Sequence, residues 1–296
     1  MEPRKRIGNA HPRPMPRDGN VLPPNRFRHD PTCGTLGGMF GKRLTVALLL
    51  LSALTGCHDL NTQARLSLAE GEQAFNRKQY DAAIQHLTRF IAQADDDSAT
   101  HRALYVRGMA RALSGRRNAA YTDLERAART SSGKDITWRA NAALGILYFE
   151  DEQWAMAARA LEATAHSMPA VAPKDAFLYR LGLCYERTHR WSKALIAYRS
   201  IVSSFGRGAY AAAASRRLTL EAQRFAVQCG VFARRENADR LVHELREENL
   251  NAYVRGERRN GTSYHVVLVG RYDTYADATS ALARVRGYIP KAVLWP

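Results

Sequence analysis

The chain has 296 residues, 46% of them hydrophobic and 24% charged, which supplies enough apolar side chain for a packed core and excludes wholesale disorder. The length favours two domains over one. Its 44 basic and 28 acidic side chains give a formal charge of +16, but residues 1–56 alone hold 9 basic and 3 acidic ones, and the remaining +10 divides as +7 over 57–224 and +3 over 225–296. An excess diluted in this way is no binding stripe, which argues against a nucleic-acid partner.

Residues 1–38 are rich in Pro, Arg, Asn and Gly and carry neither the helical nor the strand period, so no fold is expected of them. The text then changes. Met39-Phe40-Gly41-Lys42-Arg43 is a short basic start, Leu44 to Leu54 an apolar run, and Leu54-Thr55-Gly56-Cys57 a small-residue ending. That order is a secretory signal over 39–56, with Met39 the expected start and 1–38 an over-called extension. An apolar run of this length is too short to cross a bilayer core of about 30 Å as a helix.

The Leu-Thr-Gly-Cys ending resembles the bacterial lipobox. The resemblance implies that Cys57 carries a diacylglycerol, that the chain is cut before it, and that the new amino group is acylated, by palmitate or a similar chain. Two or three acyl chains anchor a protein to a membrane without spanning it. His58 stands where an Asp signals inner-membrane retention in many enteric lipoproteins, which points to the outer membrane, periplasm-facing. Of the other cysteines, Cys33 falls in the extension. Cys184 and Cys229 each lie in an apolar stretch, and buried unpaired thiols are expected rather than a disulfide.

After a linker over 57–63, the chain repeats itself. Gly71, Gly108, Gly145 and Gly182 are 37 residues apart, followed at fixed offsets by Ala83, Ala120, Ala157 and Ala194 and by Leu87, Leu124, Leu161 and Tyr198. Such a period marks a stack of helical hairpins. Small residues at these places are expected to let a small residue of one helix meet a small one of the next, with the large residues plugging the following hairpin. Ser114-Gly115-Arg116 and Arg187-Thr188-His189-Arg190 read as turns, and an Ala-rich helix from Ala209 to about Gln223 as a cap.

Leu144-Gly145, Tyr148, Ala157, Leu161 and Pro169, then Leu181-Gly182, Tyr185, Ala194 and Tyr198, resemble the tetratricopeptide (TPR) repeat; Glu70 and Arg107 stand where that family has Leu. The resemblance covers 64–224 and implies an α-solenoid that binds a protein partner in a concave groove. Arg65, Arg102 and Arg139 recur at 37 on the face such arrays turn inward, either as a groove for an acidic segment or as a solvated basic face.

From Phe225 the pattern alternates. Strands are expected over Phe225–Phe232, Asn251–Arg255, Tyr264–Val269 and Ala292–Trp295, helices over Glu236–Glu247 and Tyr275–Val285, and a hairpin turn at Asn260-Gly261. The order βαββαβ predicts a four-stranded sheet with both helices on one face and the other face open, making the whole chain α+β in two domains. With Val227, Cys229, Val267 and Val269 towards the helices, the open face would show Ala226, Gln228, Tyr264, Val266 and Leu268, joined by Tyr253, Arg255, Val293 and Trp295.

RNA-recognition folds share this order, but Tyr264-His265-Val266-Val267-Leu268-Val269 lacks their aromatic strand signature. Instead Val227-Gln228-Cys229-Gly230-Val231-Phe232, Asn237-Ala238, Val267-Leu268-Val269-Gly270-Arg271-Tyr272 and Ala276-Asp277-Ala278 resemble the SPOR domain, a peptidoglycan-binding module of bacterial division and envelope proteins. Arg271 replaces that family's Pro, Val231 its frequent Ser and Val266 its frequent Arg. The resemblance, over 225–296, implies binding of glycan strands stripped of stem peptides, as found at septa. The candidate contacts are Gln228, Tyr264, Val231, Val266, Leu268, Tyr253, Arg255, Val293 and Trp295: aromatic faces for sugar C–H surfaces, amides for hydroxyls, and a guanidinium for the lactyl carboxylate.

No phosphate loop, nucleophile elbow or zinc-protease spacing is present; His243-Glu244 is followed by Glu247, not a second His. The expectation is a non-enzymatic, cofactor-free outer-membrane lipoprotein that ties denuded glycan to a partner in division or envelope maintenance. The alternative is a TPR scaffold for envelope assembly or secretion, with the last domain only an anchor.

Overall fold

The computed structural model describes residues 51–94, 98–129, 134–171, 173–259 and 261–296. The extension 1–38, the signal segment up to residue 50, the side chain of Cys57 and the turn residue Asn260 lie outside them. The TPR-like helical-hairpin region runs through α1 (Leu51–Asn76), α2 (Tyr80–Gln93), α3 (Ser98–Leu113), α4 (Arg117–Ala128), α5 (Lys134–Glu150), α6 (Trp154–Ser167), α7 (Lys174–Arg187), α8 (Trp191–Ser204) and α9 (Ala211–Leu220). A β/α domain follows: β1 (Phe225–Phe232), α10 (Arg235–Glu247), β2 (Ala252–Arg259), β3 (Thr262–Tyr272), α11 (Tyr275–Val285) and β4 (Val293–Trp295). The expected linker over 57–63 lies inside α1, since no proline interrupts the run from Leu51 to Asn76. The described residues group into two compact units, 51–151 with 162–168, and 152–161 with 169–296.

In the first unit the glycines act differently from the expectation of small meeting small. A Cβ on Gly71 would lie 2.6 Å from Cγ of Leu87, and one on Gly108 2.8 Å from Cγ of Leu124. The missing side chain makes room for the large residue of the same hairpin, and both leucines are fully buried. Arg107, where the family has Leu, has a buried partner instead. Its guanidinium donates to both oxygens of Asp123 on α4, at 2.8 and 2.7 Å, and to Thr88 on α2 at 3.1 Å. Arg111, one turn on, donates to the same carboxylate at 2.8 Å. A buried charge needs such pairing, and here one carboxylate ties α3 to α4.

The second unit begins with the same logic. A Cβ on Gly182 would run into the ring of Tyr198. The Tyr198 hydroxyl donates to buried Glu186 at 3.0 Å, and Arg217 on α9 donates to the other carboxylate oxygen at 2.7 Å. One acid thus joins α7, α8 and α9. The sheet order is β2-β3-β1-β4, with antiparallel pairs throughout. Val227, Cys229, Val267 and Val269 pack with Ala238, Val242 and Leu245 of α10 and Ala281, Leu282 and Val285 of α11, as the alternation predicts. β2 and β3 extend further than expected, out to Arg259↔Thr262. The charged end of β2 holds because Arg259 pairs with Glu257 at 2.7 Å within the strand.

An aromatic seam fixes this domain to the hairpins beside it. The Arg187 guanidinium lies 4.1 Å from the Trp154 ring centroid and 4.8 Å from that of Tyr275. Phe225 meets Tyr275 edge-on at 5.6 Å and Trp191 at 5.0 Å. Cation–π and aromatic pairs of this kind each contribute about 0.5–1.5 kcal/mol beyond the area they bury.

Candidate functional site

The outer face of the sheet carries the residues that alternation assigned to it, but it is not open. Ala226, Val266, Leu268 and Trp295 form a second buried cluster with Leu220 and Ala222, and Trp191, Val231 and Tyr253 pack against it. Val266 and Leu268 are 0% exposed. The cause is local. Helix α9 ends at Glu221, whose φ of 46° turns the chain in the left-handed region, and Leu220 and Ala222 come down on the sheet before β1 begins. The Arg255 side chain, expected to meet a ligand carboxylate, donates to the Leu220 carbonyl instead.

Trp295 is part of the same closure. It pairs with Ala226 at the β4 edge, yet its indole N–H donates to Glu257 on β2 at 2.8 Å. The ring therefore lies across the sheet beneath Arg255, whose guanidinium stands 4.7 Å from it. Val266 and Leu268 are thus core residues here, out of reach of a ligand, and the expectation that they are contacts is corrected by Leu220 and Ala222; Trp295, 5% exposed, shows no more than an edge. Gln228, half-buried, pairs with Val293 on one side and Leu268 on the other. Val231 and Val293 are also half-buried, as is Tyr264, whose ring sits 5.9 Å from the Arg259 guanidinium.

What remains open is a depression of about 430 Å³ beside the covered face, lined by residues 221–225 together with Tyr253, Arg255, Arg271 and Trp295. Two arginine–aromatic pairs dominate it: Arg255 on Trp295, and Arg271 4.9 Å from the Tyr253 ring. Arg224 stands at its rim, exposed and paired with Asp273 at 3.0 Å. Glu221 is the acidic member of the lining. Guanidiniums held over rings present fixed, directional donors beside apolar surface, a chemistry suited to a sugar bearing carboxylates. Sequence reasoning had Tyr253 and Arg255 and missed Arg271, Arg224 and Gln223. The signal for Arg271 was its replacement of the family's Pro.

Arg65 is exposed on α1; Arg102 is paired with Glu72, and Arg139 with Asp135 at 2.8 Å while lying 4.6 Å from the Trp138 ring. Two of the three arginines of the ladder therefore have acidic partners inside the array. Glu150 and Asp151 are held by Arg117 at 3.0 and 2.8 Å. The Tyr121 hydroxyl, donating to Asp151 at 2.6 Å, holds that carboxyl below its usual range. His243 faces Glu247 at 3.4 Å on an exposed helix surface. Among the described residues no His/Cys/Asp/Glu group has metal-binding geometry, and no helix is long and apolar enough to cross a membrane.

Comparison with known proteins agrees with the β/α domain. Residues 221–295 match the SPOR domain family, so this region is a SPOR domain. Membership implies peptidoglycan binding and a cell-envelope location. The helical region is similar to MamA from AMB-1 (16% identity, TM-score 0.44, 54% of this chain and 81% of that one). It is likewise similar to MamA 41-end from Desulfovibrio magneticus RS-1 (20% identity, TM-score 0.44, 54% and 83%). A search of curated proteins gave no match.

Proposed function

We propose that the protein is a lipid-anchored envelope protein of the outer membrane that holds denuded, septal glycan through its SPOR domain and presents a partner protein on its helical array. In this reading 39–56 is the signal peptide, Cys57 the acylated residue and 64–224 the partner-binding array. The observation that carries it is the depression where Arg255 and Arg271 lie over Trp295 and Tyr253, in a domain whose family binds peptidoglycan. Sugar rings offer apolar faces to Tyr253, and lactyl groups freed of their peptides offer carboxylates to Arg271. The Gln223 amide in the lining suits the sugar hydroxyls, while Gln228, half-buried between Leu268 and Val293, is a further candidate contact on the sheet.

The test is the position of the protein in dividing cells. A fluorescent fusion is expected to concentrate at septa, and to spread evenly round the envelope once Tyr253→Ala and Arg271→Glu are combined. Metabolic labelling with an alkyne palmitate is expected to mark the wild type and not Cys57→Ser. Even distribution of the wild-type fusion would sink the septal reading.

One observation favours the second reading, in which the array is the working part and the SPOR domain an anchor. Val266 and Leu268, central to the face that the family resemblance nominates, are covered by Leu220 and Ala222. On that reading the septal pattern is absent, while a partner recovered with the array is unaffected by Tyr253→Ala and Arg271→Glu.

A further inference from the structure

A glycan strand entering the depression at Tyr253 and Arg271 has no path along the sheet. That direction is closed by Leu220, Ala222 and the Trp295 ring, which bury Val266 and Leu268 completely. A second depression of about 570 Å³ adjoins it, and Gln223 and Arg224 line both. Its far wall is the start of α8 and the turn before it: His189, Arg190, Trp191, Ser192 and Lys193. Arg190 and Lys193 are exposed. The facing acid is Asp273, already paired with Arg224, so the wall keeps a positive excess.

We propose that these two depressions form one groove, so that the last helical hairpin holds part of the same glycan strand as the SPOR domain. The inference rests on the peptidoglycan reading above and adds the route and length of the ligand. Both depressions are of a size that holds small ligands, and placed end to end they fit a polymer better than a single sugar. The chemistry runs through both, with cationic and amide groups beside an aromatic ring: Arg271 and Tyr253 in one, Arg190, Lys193 and Trp191 in the other. The two parts keep a fixed spacing, because Trp191 packs on Phe225 and Phe225 on Tyr275, with Arg187 over that ring. A strand spanning both contacts them as one rigid surface, so the second contact adds affinity without a further ordering cost.

The test measures binding of the full chain to peptide-free glycan in two lengths, tetrasaccharide and long strands. Four forms are compared: wild type, Arg190→Glu with Lys193→Glu, Arg271→Glu, and a charge-matched control, Arg199→Glu with Arg207→Glu, at exposed positions outside both depressions. The wild type is expected to prefer long strands. Arg190→Glu with Lys193→Glu is expected to lose about tenfold on long strands, with a weaker salt dependence, and to leave the tetrasaccharide unchanged. Arg271→Glu should weaken both lengths, and the control neither. If the Arg190/Lys193 variant binds long strands like the wild type, or the control loses as much, the extended groove is wrong. If the wild type binds neither length, the peptidoglycan reading itself fails, and the inference with it.

Discussion

At the scale of single residues, the four hairpin turns share a feature that the sequence hides. Lys78, Gly115, Glu152 and His189 fall at the same place in successive repeats, and all have φ between 56° and 80°. Only the second repeat spends a glycine there, although a left-handed backbone strains any residue with a Cβ. Lys78→Gly and Glu152→Gly are therefore expected to raise the stability of the array by roughly 0.5–1 kcal/mol each, and Gly115→Ala to lower it by a similar amount. Denaturant midpoints at an unchanged slope would show it. Equal and opposite shifts, or none, would mean that the side chains at these turns carry stabilising contacts of their own.

The two central cysteines give a second residue-scale prediction. Burial pushes the thiols of Cys184 and Cys229 up to about 12, against the pull of Arg187 and Arg180 on Cys184. The reactive form is the thiolate, which stays scarce until the pH nears that value. In a protein carrying Cys33→Ser and Cys57→Ser, a thiol reagent at pH 8 is expected to label neither cysteine while the fold is intact. Raising the pH to 9, the ordinary thiol value, should still label neither, and unfolding should release both. Fast labelling of the native protein at pH 8 would contradict the packing described here.

At the scale of elements, the decisive contact is α9 against the sheet. The side of the sheet that Val227, Cys229, Val267 and Val269 face was legible, because a period of two assigns them to one side without further information; past the bulge between Gln228 and Gly230 the faces swap, and Val231 packs with the outer cluster and Phe232 with the inner one. That the other side is covered was not. Leu220 and Val266 are far apart in sequence, and nothing near either announces that they meet. The same holds for Trp295, whose partner Glu257 belongs to the opposite edge of the sheet. The glycine pattern of the repeats was visible for the same reason as the strands, through spacing. Its meaning needed coordinates, since spacing cannot tell whether Gly108 makes room for a small neighbour or for Leu124. If α9 covers the sheet as described, Leu220→Ala should cost about 2–4 kcal/mol, as expected for a buried leucine that leaves a cavity. It should also loosen the environment of Trp295, seen as faster exchange of its indole N–H. A stability within 0.5 kcal/mol of wild type would mean that the end of α9 does not seal the face.

At the scale of the whole molecule, the proposed reading makes this a protein whose work is to hold things in place, with a SPOR domain at one end and a lipid anchor at the other. Architecture was readable from the chain because repeats and alternation are periodic signals. The ligand surface was readable only in part. Tyr253 and Arg255 were identified from their side of the sheet, but Arg271 registered only as a departure from a family pattern, and Arg224 lies in a connection without period. Such residues become a site through the fold that gathers them.

On the proposed reading the depression at Tyr253 and Arg271, rather than the covered face of the sheet, binds peptidoglycan. Co-sedimentation of the full chain with sacculi, intact or stripped by an amidase, tests it most directly. More protein is expected in the pellet after stripping, with a loss of roughly tenfold or more in affinity for Tyr253→Ala with Arg271→Glu, and little change for Val293→Ala, which lies outside the depression. Absence of binding to either preparation, or binding indifferent to Tyr253 and Arg271, would contradict it.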